Sequence, residues 1–448
     1  MTPNKITRDC ITAEKIQSYR DYYANDTMRQ ALTTILAKGN LGDLTFVTAA
    51  ARKMQFQFSV DVKTMTSTNQ KSSGRCWLFA ATNVLREIVA KKLNLENFEL
   101  SQSWLAFWDK FERVNAYLNA IVETADLPHD DRMVDYLVGT GVHDGGQWDM
   151  FVNIVDKYGL LPGNAYPETA QTGATGQLNR HINNYLKASA GKLRTAAAAG
   201  EDTTELREDI LRRVFSFLCA CYGEPPETFD WEYKDKDGAI HYMTGKTPIQ
   251  FRDEYIGDYL DHYVSIINAP TADKPFYKTY TVQYLNNVPG GKQDILYYNL
   301  PIDEFKELVI RQLKDGEIVW FGSDCGKYSN RETKAWDDAS FNEGQITGFD
   351  YGMTKEEMLW YHMSQMNHAM CITGVNIGED GKPNRWKIQN SWGADGANGG
   401  YYMASDTWFD KFVYQAVVNK AYLENHDLAQ APIELKPWDP MGSLALTD

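Results

Sequence analysis

The spacing of apolar side chains predicts a largely helical amino-terminal region. Small and apolar residues recur at helical intervals over about 76–93, which predicts one helix there. A second helix is predicted over about 101–118, with its first residue, a serine, as the N-cap. A third helix is predicted after Gly146, and it stops near Gly159, where a Leu-Leu-Pro-Gly sequence breaks the pattern.

The pattern changes twice further along the chain. Residues 168–275 begin with loop-like and small-residue stretches and then show an amphipathic helix over about 206–218. From about residue 276, β-branched and aromatic residues predict strands, with one more helix over 301–314. The predicted strands are 276–282, 318–321, 368–375, 385–390 and 400–403. A helical region, an inserted and largely helical module and a strand-rich region together predict an α+β protein.

Composition and charge narrow the class of protein. The 448 residues allow about three domains, or one large fold with insertions. The 45 Lys and Arg residues against 60 Asp and Glu residues give a net charge of −15, which argues against a dedicated nucleic-acid-binding protein. No stretch approaches the roughly 18 apolar residues of a membrane-spanning helix, so no membrane partner is expected.

The amino terminus and the cysteines indicate a compartment. Residues 1–23 are charged and polar, and they lack the apolar stretch of an export signal. The six cysteines are few for this length and are not clustered as in disulfide-rich proteins. We therefore expect a soluble protein of the reducing cytoplasm.

A cysteine at the start of a predicted helix is the first chemical candidate. Backbone N–H groups at that end stabilise a thiolate, so Cys76 is expected to have an accessible sulfur with a pKa well below the usual value of about 8.5. Gly74 permits the tight turn into the helix. Gln70 can offer a side-chain N–H beside the Cys76 backbone amide, and such a pair forms an oxyanion hole. A lone cysteine is more often a small buried apolar residue, so this hypothesis needs partners elsewhere.

A base and its orienting partner occur together near the carboxyl end. His368 stands at the start of one predicted strand and Asn390 at the end of the next, with a turn at Asp380-Gly381 between them. The Asn390 amide oxygen can hold the imidazole tautomer that thiolate chemistry needs, and Trp392 can shield that bond from water. The sequence therefore predicts a site formed by Cys76, His368 and Asn390.

Other candidate sites are weaker. His362 and His368 are six residues apart, which fits no common metal-binding spacing. Cys219 and Cys221 have no partner motif, which favours a place in a helix core. No glycine-rich phosphate loop or dinucleotide fingerprint occurs. We therefore expect neither a metal nor an organic cofactor.

Five motifs in order resemble those of the papain-like cysteine peptidases. They are Gln70 with Gly74-Arg75-Cys76-Trp77, Ser101-Gln102-Ser103, Asp144-Gly145-Gly146, His368-Ala369 and Asn390-Ser391-Trp392-Gly393. The match is closer to the bleomycin hydrolase and aminopeptidase C branch, and it extends to 107–110, 319–322 and 438–445. Ser73 stands where secreted relatives usually carry a disulfide cysteine, which agrees with a reducing compartment. His368 follows Cys76 at a much larger separation than the roughly 130–150 residues of papain-type enzymes, as an insertion requires.

The resemblance implies a papain-like two-lobed fold in four parts. A helical lobe with the nucleophile occupies 1–167, and an inserted oligomerisation module occupies 168–275. A β-barrel-like lobe with the histidine and asparagine follows over 276–430. The last part, 431–448, is a C-terminal arm that enters the cleft. In this branch the inserted module contributes contacts to a homohexamer. Gly145 and Gly146 line the cleft where the substrate backbone lies, with Trp392 beside it.

The resemblance also implies an activity, that of a cysteine aminopeptidase with broad selectivity for peptide substrates. Cys76 attacks the scissile carbonyl, His368 protonates the leaving amine, Asn390 orients His368, and Gln70 binds the oxyanion. In this branch the arm lies on the nonprimed side of the cleft, and its terminal carboxylate meets the free α-amine of the substrate.

The end of the chain departs from the branch. Relatives commonly stop near the alanine that matches Ala445, whereas this chain continues through Leu446, Thr447 and Asp448. Four outcomes are open for the added residues. They fill the site and suppress activity, they are trimmed by the enzyme, or they shift the terminal carboxylate of the arm. In the fourth they form a frayed tail that points elsewhere. We expect an arm that still restricts the cleft. The alternatives are an endopeptidase of the same fold, a catalytically silent scaffold, and an acyltransferase with the same triad.

Overall fold

A computed structural model describes residues 9–448 of the chain. The described chain forms two compact units, residues 9–53 with 339–352, and residues 54–338 with 353–448. Residues 1–8, part of the polar amino terminus and of the expected 1–167 segment, lie outside the described residues.

The helices agree well with the predicted ones. The α-helices of the described chain are α1 (Ala13–Ala24), α2 (Thr27–Leu36), α3 (Leu41–Leu44), α4 (Thr48–Ala51), α5 (Cys76–Leu93), α6 (Gln102–Glu123), α7 (Arg132–Thr140), α8 (Trp148–Tyr158), α9 (Gly176–Ala198), α10 (Thr204–Tyr222), α11 (Pro248–Tyr255), α12 (Ile302–Lys314), α13 (Glu343–Thr347), α14 (Lys355–Trp360) and α15 (Asp406–Phe412). Ser101 caps α6 by accepting a hydrogen bond from the Trp104 N–H at 3.1 Å, as predicted. Gly159 ends α8 with a φ of 72°, a conformation that glycine adopts without strain.

The strands form one large sheet and one hairpin. They are β1 (Val60–Asp61), β2 (Phe229–Lys234), β3 (Ile240–Lys246), β4 (Tyr263–Ile267), β5 (Thr279–Val282), β6 (Tyr297–Asn299), β7 (Val319–Ser323), β8 (Ser329–Asn330), β9 (Ala335–Trp336), β10 (His368–Ile377), β11 (Pro383–Gln389), β12 (Tyr401–Ser405), β13 (Val413–Asn419) and β14 (Ile433–Leu435). The twelve-stranded sheet runs β14-β5-β6-β4-β13-β7-β10-β11-β12-β9-β8, with β1 paired to β10, and β2 with β3 forms the hairpin.

Strand β10 lies at the centre of this sheet, between β7 and β11. Both pairings are antiparallel, with His368 opposite Ser323 and Val375 opposite Trp386. The predicted strand pair around Asp380-Gly381 is confirmed, and Gly381 has the positive φ of 77° that its turn requires. The sheet is mixed, because β4 with β6, β5 with β14 and β9 with β12 pair in parallel.

The segment 168–275 contains more strand than its pattern led us to predict. Helices α9 and α10 lie where helices were expected, but β2, β3 and β4 also fall within the segment. In β2 the side chains of Phe229 and Trp231 are buried and alternate with exposed charged residues, which is the period of a half-buried strand. Strand β4 is buried along most of its length and pairs with β13 in the large sheet.

Helix α5 packs against the centre of the sheet. The Cys371 thiol of β10 donates to the Ala80 carbonyl at 3.2 Å, and the Trp320 indole of β7 donates to the Trp77 carbonyl at 3.2 Å. These contacts join the first two turns of the helix to the two central strands. The start of α5 therefore lies beside the start of β10.

The smaller unit consists of residues 9–53 with 339–352. It contains α1 to α4 and α13, and Phe46 packs edge-on against Phe341 with ring centroids 5.7 Å apart. In α1, all of whose residues are described, none is buried. Within residues 9–448, no helix combines the length and the apolar composition that crossing a bilayer requires.

Candidate active site

The candidate nucleophile, Cys76, is the first residue of α5. Arg75, the residue before it, is buried and forms a two-pronged ion pair with Glu168, with nitrogen–oxygen distances of 3.0 and 2.8 Å. Burial acts to raise the pKa of Glu168, but the Arg75 guanidinium outweighs it, so that pKa lies below its ordinary value. The ion pair fixes the turn that leads into the helix.

The sulfur of Cys76 lies beside the first residues of β10. Its Sγ accepts a hydrogen bond from the Ala369 N–H at 3.4 Å. Ala369 directly follows His368, so helix and strand bring the residues of the thiol and the imidazole together. This neighbourhood is the one that the sequence predicted for a thiolate and its base.

His368 is held by Asn390, the residue after β11. His368 Nε2 lies 2.8 Å from Asn390 Oδ1, and the Trp392 ring stacks on the imidazole with centroids 5.0 Å apart. Because an amide oxygen only accepts hydrogen bonds, Nε2 carries the proton of this bond. Nδ1 is then the nitrogen that can take a proton from the thiol.

Gln70 is attached to the loop that follows Asn390. Its Oε1 accepts from the Ser391 hydroxyl at 2.6 Å, and its Nε2 donates to the Ser73 carbonyl at 2.5 Å. The Gln70 backbone N–H also donates to the Ser391 carbonyl at 2.8 Å. The four predicted residues Gln70, Cys76, His368 and Asn390 therefore meet in one place.

Burial changes the acid–base properties expected for the site. Cys76 is 2% exposed and His368 is 5% exposed. Burial raises the pKa of the Cys76 thiol to about 11, against the pull of nearby backbone N–H groups, and lowers the pKa of His368 to about 4. The expectation of an accessible sulfur with a low pKa is wrong in this structure, because loss of water outweighs the backbone N–H groups around the sulfur. A thiolate forms here only together with an imidazolium, since that proton transfer leaves no net charge in the buried site.

Asp144 is the centre of a buried polar network behind the nucleophile loop. Its carboxylate lies 2.7 Å from Lys110 Nζ and accepts hydrogen bonds from Asn179 Nδ2 at 3.0 Å, the Gly74 N–H at 3.2 Å and the Thr175 hydroxyl. Burial acts to raise the pKa of Asp144, but the Lys110 ammonium outweighs it and holds that pKa well below its ordinary value. The network fixes Gly74, two residues before the nucleophile.

The cleft beside the nucleophile is lined by bare backbone. A Cβ on Gly146 would lie 2.5 Å from the Trp77 ring, and one on Gly145 would lie 2.1 Å from the Leu444 carbonyl oxygen. Side-chain carbons do not approach other atoms so closely, so only glycine fits at these positions. We call Gly74, Gly145 and Gly146 the glycine wall.

The C-terminal arm is anchored before it reaches the glycine wall. Pro440–Leu446 forms a 3₁₀-helix that Asp439 caps by accepting a hydrogen bond from the Met441 N–H at 2.9 Å. The Ser443 hydroxyl donates to the Met366 carbonyl at 2.8 Å, and Leu444 is fully buried in the core. The arm is therefore part of the packed protein up to residue 445.

The last residues lie on the glycine wall. Ala445 is buried, and half-buried Leu446 borders a cavity of about 120 Å³. The Gly145 N–H donates to the Thr447 carbonyl at 2.8 Å, and the carbonyl carbon of Asp448 lies 2.8 Å from the position of a Cβ on Gly74. The segment Leu446 to Asp448, which we call the tail, covers the wall two residues from the nucleophile.

The side chain of Asp448 is bound as well. Its Oδ1 lies 3.1 Å from Asn179 Nδ2 and 3.2 Å from His143 Nδ1. Burial acts to raise the pKa of Asp448, but the neighbouring His143 outweighs it, so the pKa lies below its ordinary value. The tail is thus held by its backbone and by its final side chain.

Sequence reasoning missed the residues that hold the tail. His143 directly precedes the Asp144-Gly145-Gly146 motif, so its position near the cleft was available from the sequence. Asn179 comes from the first turns of α9, in the inserted segment, and no local pattern reveals that it reaches the cleft.

Comparisons with known proteins place the chain in a family. The model of the Peptidase C1-like family matches residues 10–442. Aminopeptidase C of Lactobacillus delbrueckii subsp. lactis is 45% identical over 398 residues, which cover 87% of this chain and 88% of that protein. Bleomycin hydrolase of Gallus gallus is 41% identical over 403 residues, with coverage of 87% and 88%. The crystal structure of PepW from Lactobacillus rhamnosis matches with a TM-score of 0.93 at 39% identity, and covers 97% of this chain and 99% of that one.

The fold and the site define a cysteine peptidase with a papain-like α+β architecture. The chain belongs to the Peptidase C1-like family, in the branch of aminopeptidase C and bleomycin hydrolase.

Proposed function

We propose that the chain is a cytoplasmic cysteine aminopeptidase that hydrolyses N-terminal residues from peptides with broad selectivity. Cys76, His368 and Asn390 are the catalytic residues, and Gln70 with the Cys76 backbone N–H binds the oxyanion. The 2.8 Å contact between His368 and Asn390 and the sulfur's position beside Ala369 support these roles. The aminopeptidase C relatives support the same class of activity.

Each step follows from the chemistry of these groups. The Cys76 thiol passes its proton to His368 Nδ1, and the thiolate attacks the scissile carbonyl carbon. The resulting oxyanion accepts hydrogen bonds from the Cys76 N–H and from the second N–H of the Gln70 amide. His368 then protonates the leaving amine and later takes a proton from the water that hydrolyses the acyl-enzyme.

The position of the arm is the single observation that carries the aminopeptidase assignment. Residues up to Ala445 are buried beside the glycine wall, and Leu446 and Thr447 follow them, so a peptide whose first residue takes the place of Asp448 has no room to continue upstream. Asp448 covers that place itself, and we propose that it is displaced or trimmed before a peptide binds. Broad selectivity follows from the wall, because glycine backbone binds a peptide backbone whatever its side chains are.

Hydrolysis of one fluorogenic dipeptide amide tests the proposal. The reduced full-length protein is given the amide with a free amine and the same amide with an N-acetyl group. We expect cleavage of the free form alone, and no cleavage by the Cys76→Ala variant. Cys219→Ala makes the same chemical change on helix α10, away from the site, and should leave cleavage intact.

The other outcomes separate the alternatives. Equal cleavage of both amides would indicate an endopeptidase whose cleft the arm does not restrict. Cleavage of neither amide would indicate a self-blocked enzyme or a catalytically silent scaffold. Undiminished cleavage by Cys76→Ala would overturn the mechanism itself.

We also propose that the enzyme is a homohexamer of the cytoplasm. All six cysteines carry free thiols, which fits a reducing compartment. The smaller unit exposes large apolar side chains, among them Ile11, Tyr22 and Phe349. Apolar side chains of this size are typical of surfaces that other subunits cover.

A further inference from the structure

Asp448 occupies the place that one residue of a bound peptide would take on the glycine wall. Its main chain is against Gly74, two residues before the nucleophile, and the preceding carbonyl accepts a hydrogen bond from Gly145. These are backbone contacts that any peptide on the glycine wall can make. The groups around the Asp448 side chain therefore show what the wall offers to the side chain of a substrate residue.

One of those groups is a hydrogen-bond donor, the Asn179 amide, and the other is a ring nitrogen of His143. Asn179 is buried, and its Nδ2 donates to two carboxylates, to Asp144 at 3.0 Å and to Asp448 at 3.1 Å. Its Oδ1 has no hydrogen-bond partner among the described residues, so the amide is oriented by carboxylates on its nitrogen side. His143 Nδ1 lies 3.2 Å from the same Asp448 oxygen.

The one carboxylate already in the network does not prevent a second from binding. Asp144 is paired with Lys110 at 2.7 Å, and both side chains are buried, so their charges cancel locally. What remains for the incoming side chain is the amide N–H of Asn179 and the ring nitrogen of His143. An acidic side chain matches these groups, because it accepts hydrogen bonds with either oxygen.

We propose that His143 and Asn179 form a subsite for an acidic side chain. Within a broad selectivity, the enzyme then releases N-terminal aspartate faster than N-terminal asparagine. This inference rests on the proposed aminopeptidase function, in which the N-terminal residue of the peptide takes the place of Asp448 on the glycine wall. The tail is in this sense a ligand of the enzyme's own subsite.

The test compares fluorogenic amides of aspartate and asparagine, both with free amines, on the full-length protein. The tail competes equally with both, so its effect cancels in the ratio of their kcat/KM values. We expect a ratio of about ten, since a charge-assisted hydrogen bond at a partly exposed site is stronger than a neutral one. The ratio should fall to about one in His143→Ala and in Asn179→Ala.

Matched controls lie on α9. His181→Ala and Asn184→Ala remove the same residue types from exposed positions of that helix and should keep the wild-type ratio. Thermal unfolding of each variant checks its fold, and His143→Ala carries the test if Asn179→Ala does not fold. A wild-type ratio near one, or an unchanged ratio in both subsite variants, would overturn the proposal.

A binding experiment separates this inference from the proposed function. Calorimetry with the Cys76→Ala protein compares the tripeptides Leu-Thr-Asp and Leu-Thr-Asn, and we expect about tenfold tighter binding of the first. Equal affinities would overturn the subsite. Tighter binding of the acidic tripeptide without hydrolysis of any amide by the wild type would support the subsite and indicate a self-blocked enzyme or a silent scaffold in place of an active aminopeptidase. Hydrolysis of the aspartate and asparagine amides at equal rates would reject the subsite but not the aminopeptidase activity.

Discussion

The Gln70 amide is oriented by Ser391, whose hydroxyl donates to the amide oxygen at 2.6 Å. That bond turns the amide nitrogen towards the loop of Cys76, where the Ser73 carbonyl takes one of its two N–H groups. The orientation of the amide is therefore set by the protein before any substrate binds. Donors oriented in advance are the kind that stabilise a developing oxyanion most.

The variant Gln70→Ala tests this role. We expect kcat to fall about a hundredfold with little change in KM, because the lost donor acts on the oxyanion and not on the bound peptide. Steady-state hydrolysis of a free dipeptide amide measures both constants. Gln177→Ala, at an exposed position of α9, is the control, and a change confined to KM would contradict the role.

Asp149 is a second residue whose surroundings decide its behaviour. It is buried, accepts hydrogen bonds from Gln293 Nε2 at 2.8 Å and the Leu296 N–H at 2.9 Å, and burial raises its pKa to about 7. The folded protein thus holds a proton that the unfolded chain has lost above about pH 4. The stabilisation that this bound proton gives the folded protein is fully present below about pH 4 and is lost as the pH rises through 7.

Replacing Asp149 by asparagine should remove this pH dependence. Between pH 5 and pH 8 the free energy of unfolding of the wild type should fall by about 2 kcal/mol more than that of Asp149→Asn. Urea unfolding at the two pH values measures the difference. Asp130→Asn, at an exposed position, should behave as the wild type, and parallel curves for Asp149→Asn would show that Asp149 does not titrate in this range.

The candidate site could be predicted from the sequence where its residues stand in local motifs. Cys76, His368 and Asn390 each open or close a predicted element, Gln70 stands shortly before the predicted helix, and the structure brings the four together. The pKa of Cys76 could not be predicted, because it depends on how much water the packed chain leaves around the sulfur.

At the scale of elements, the tail is the segment with the largest expected effect on the site. It lies on the glycine wall, whose Gly74 is two residues before Cys76, and the Cys76 side chain is almost completely buried. Ending the chain at Ala445 should return water to the cleft and bring the pKa of Cys76 towards the ordinary value of about 8.5.

Alkylation by iodoacetamide at pH 7 measures that change. We expect Cys76 to react at least about tenfold faster in the shortened protein, because only the thiolate reacts. Peptide mapping follows each cysteine separately, so Cys371, buried between α5 and the sheet, serves as the control within the same sample. Equal rates for Cys76 in the two proteins would mean that the tail does not shield it.

Helices and strands with a clear period of apolar residues could be predicted from the sequence. Elements that form only by pairing with a distant part of the chain could not. Helix α5 has small and apolar residues on the face against β10, and its predicted ends at 76 and 93 are confirmed. Strand β14 has three residues and forms by pairing with β5, more than 150 positions earlier in the chain. No local pattern predicts it.

At the scale of the whole molecule, the exposed apolar residues of the smaller unit bear on assembly. Tyr22 is 78% exposed on α1, a helix without a buried residue. If this surface is covered in a hexamer, Tyr22→Asp should shift the protein to smaller species, because a charge would be buried at the contact. Sedimentation velocity measures the shift. Tyr361→Asp changes a tyrosine of similar exposure in the larger unit and should keep the wild-type assembly, whereas a monomeric wild type would contradict the hexamer.

The contacts that complete the site join distant parts of the chain. Gln70 meets Ser391 across 321 positions, and Cys76 meets Ala369 across 293. During synthesis the ribosome releases helix α5 long before it has made strand β10, so the nascent chain carries a thiol without its base or its oxyanion donor. Contacts of such long range form only when both partners are present. A partly synthesised chain therefore has no peptidase activity. The activity arises only after almost the whole protein has left the ribosome.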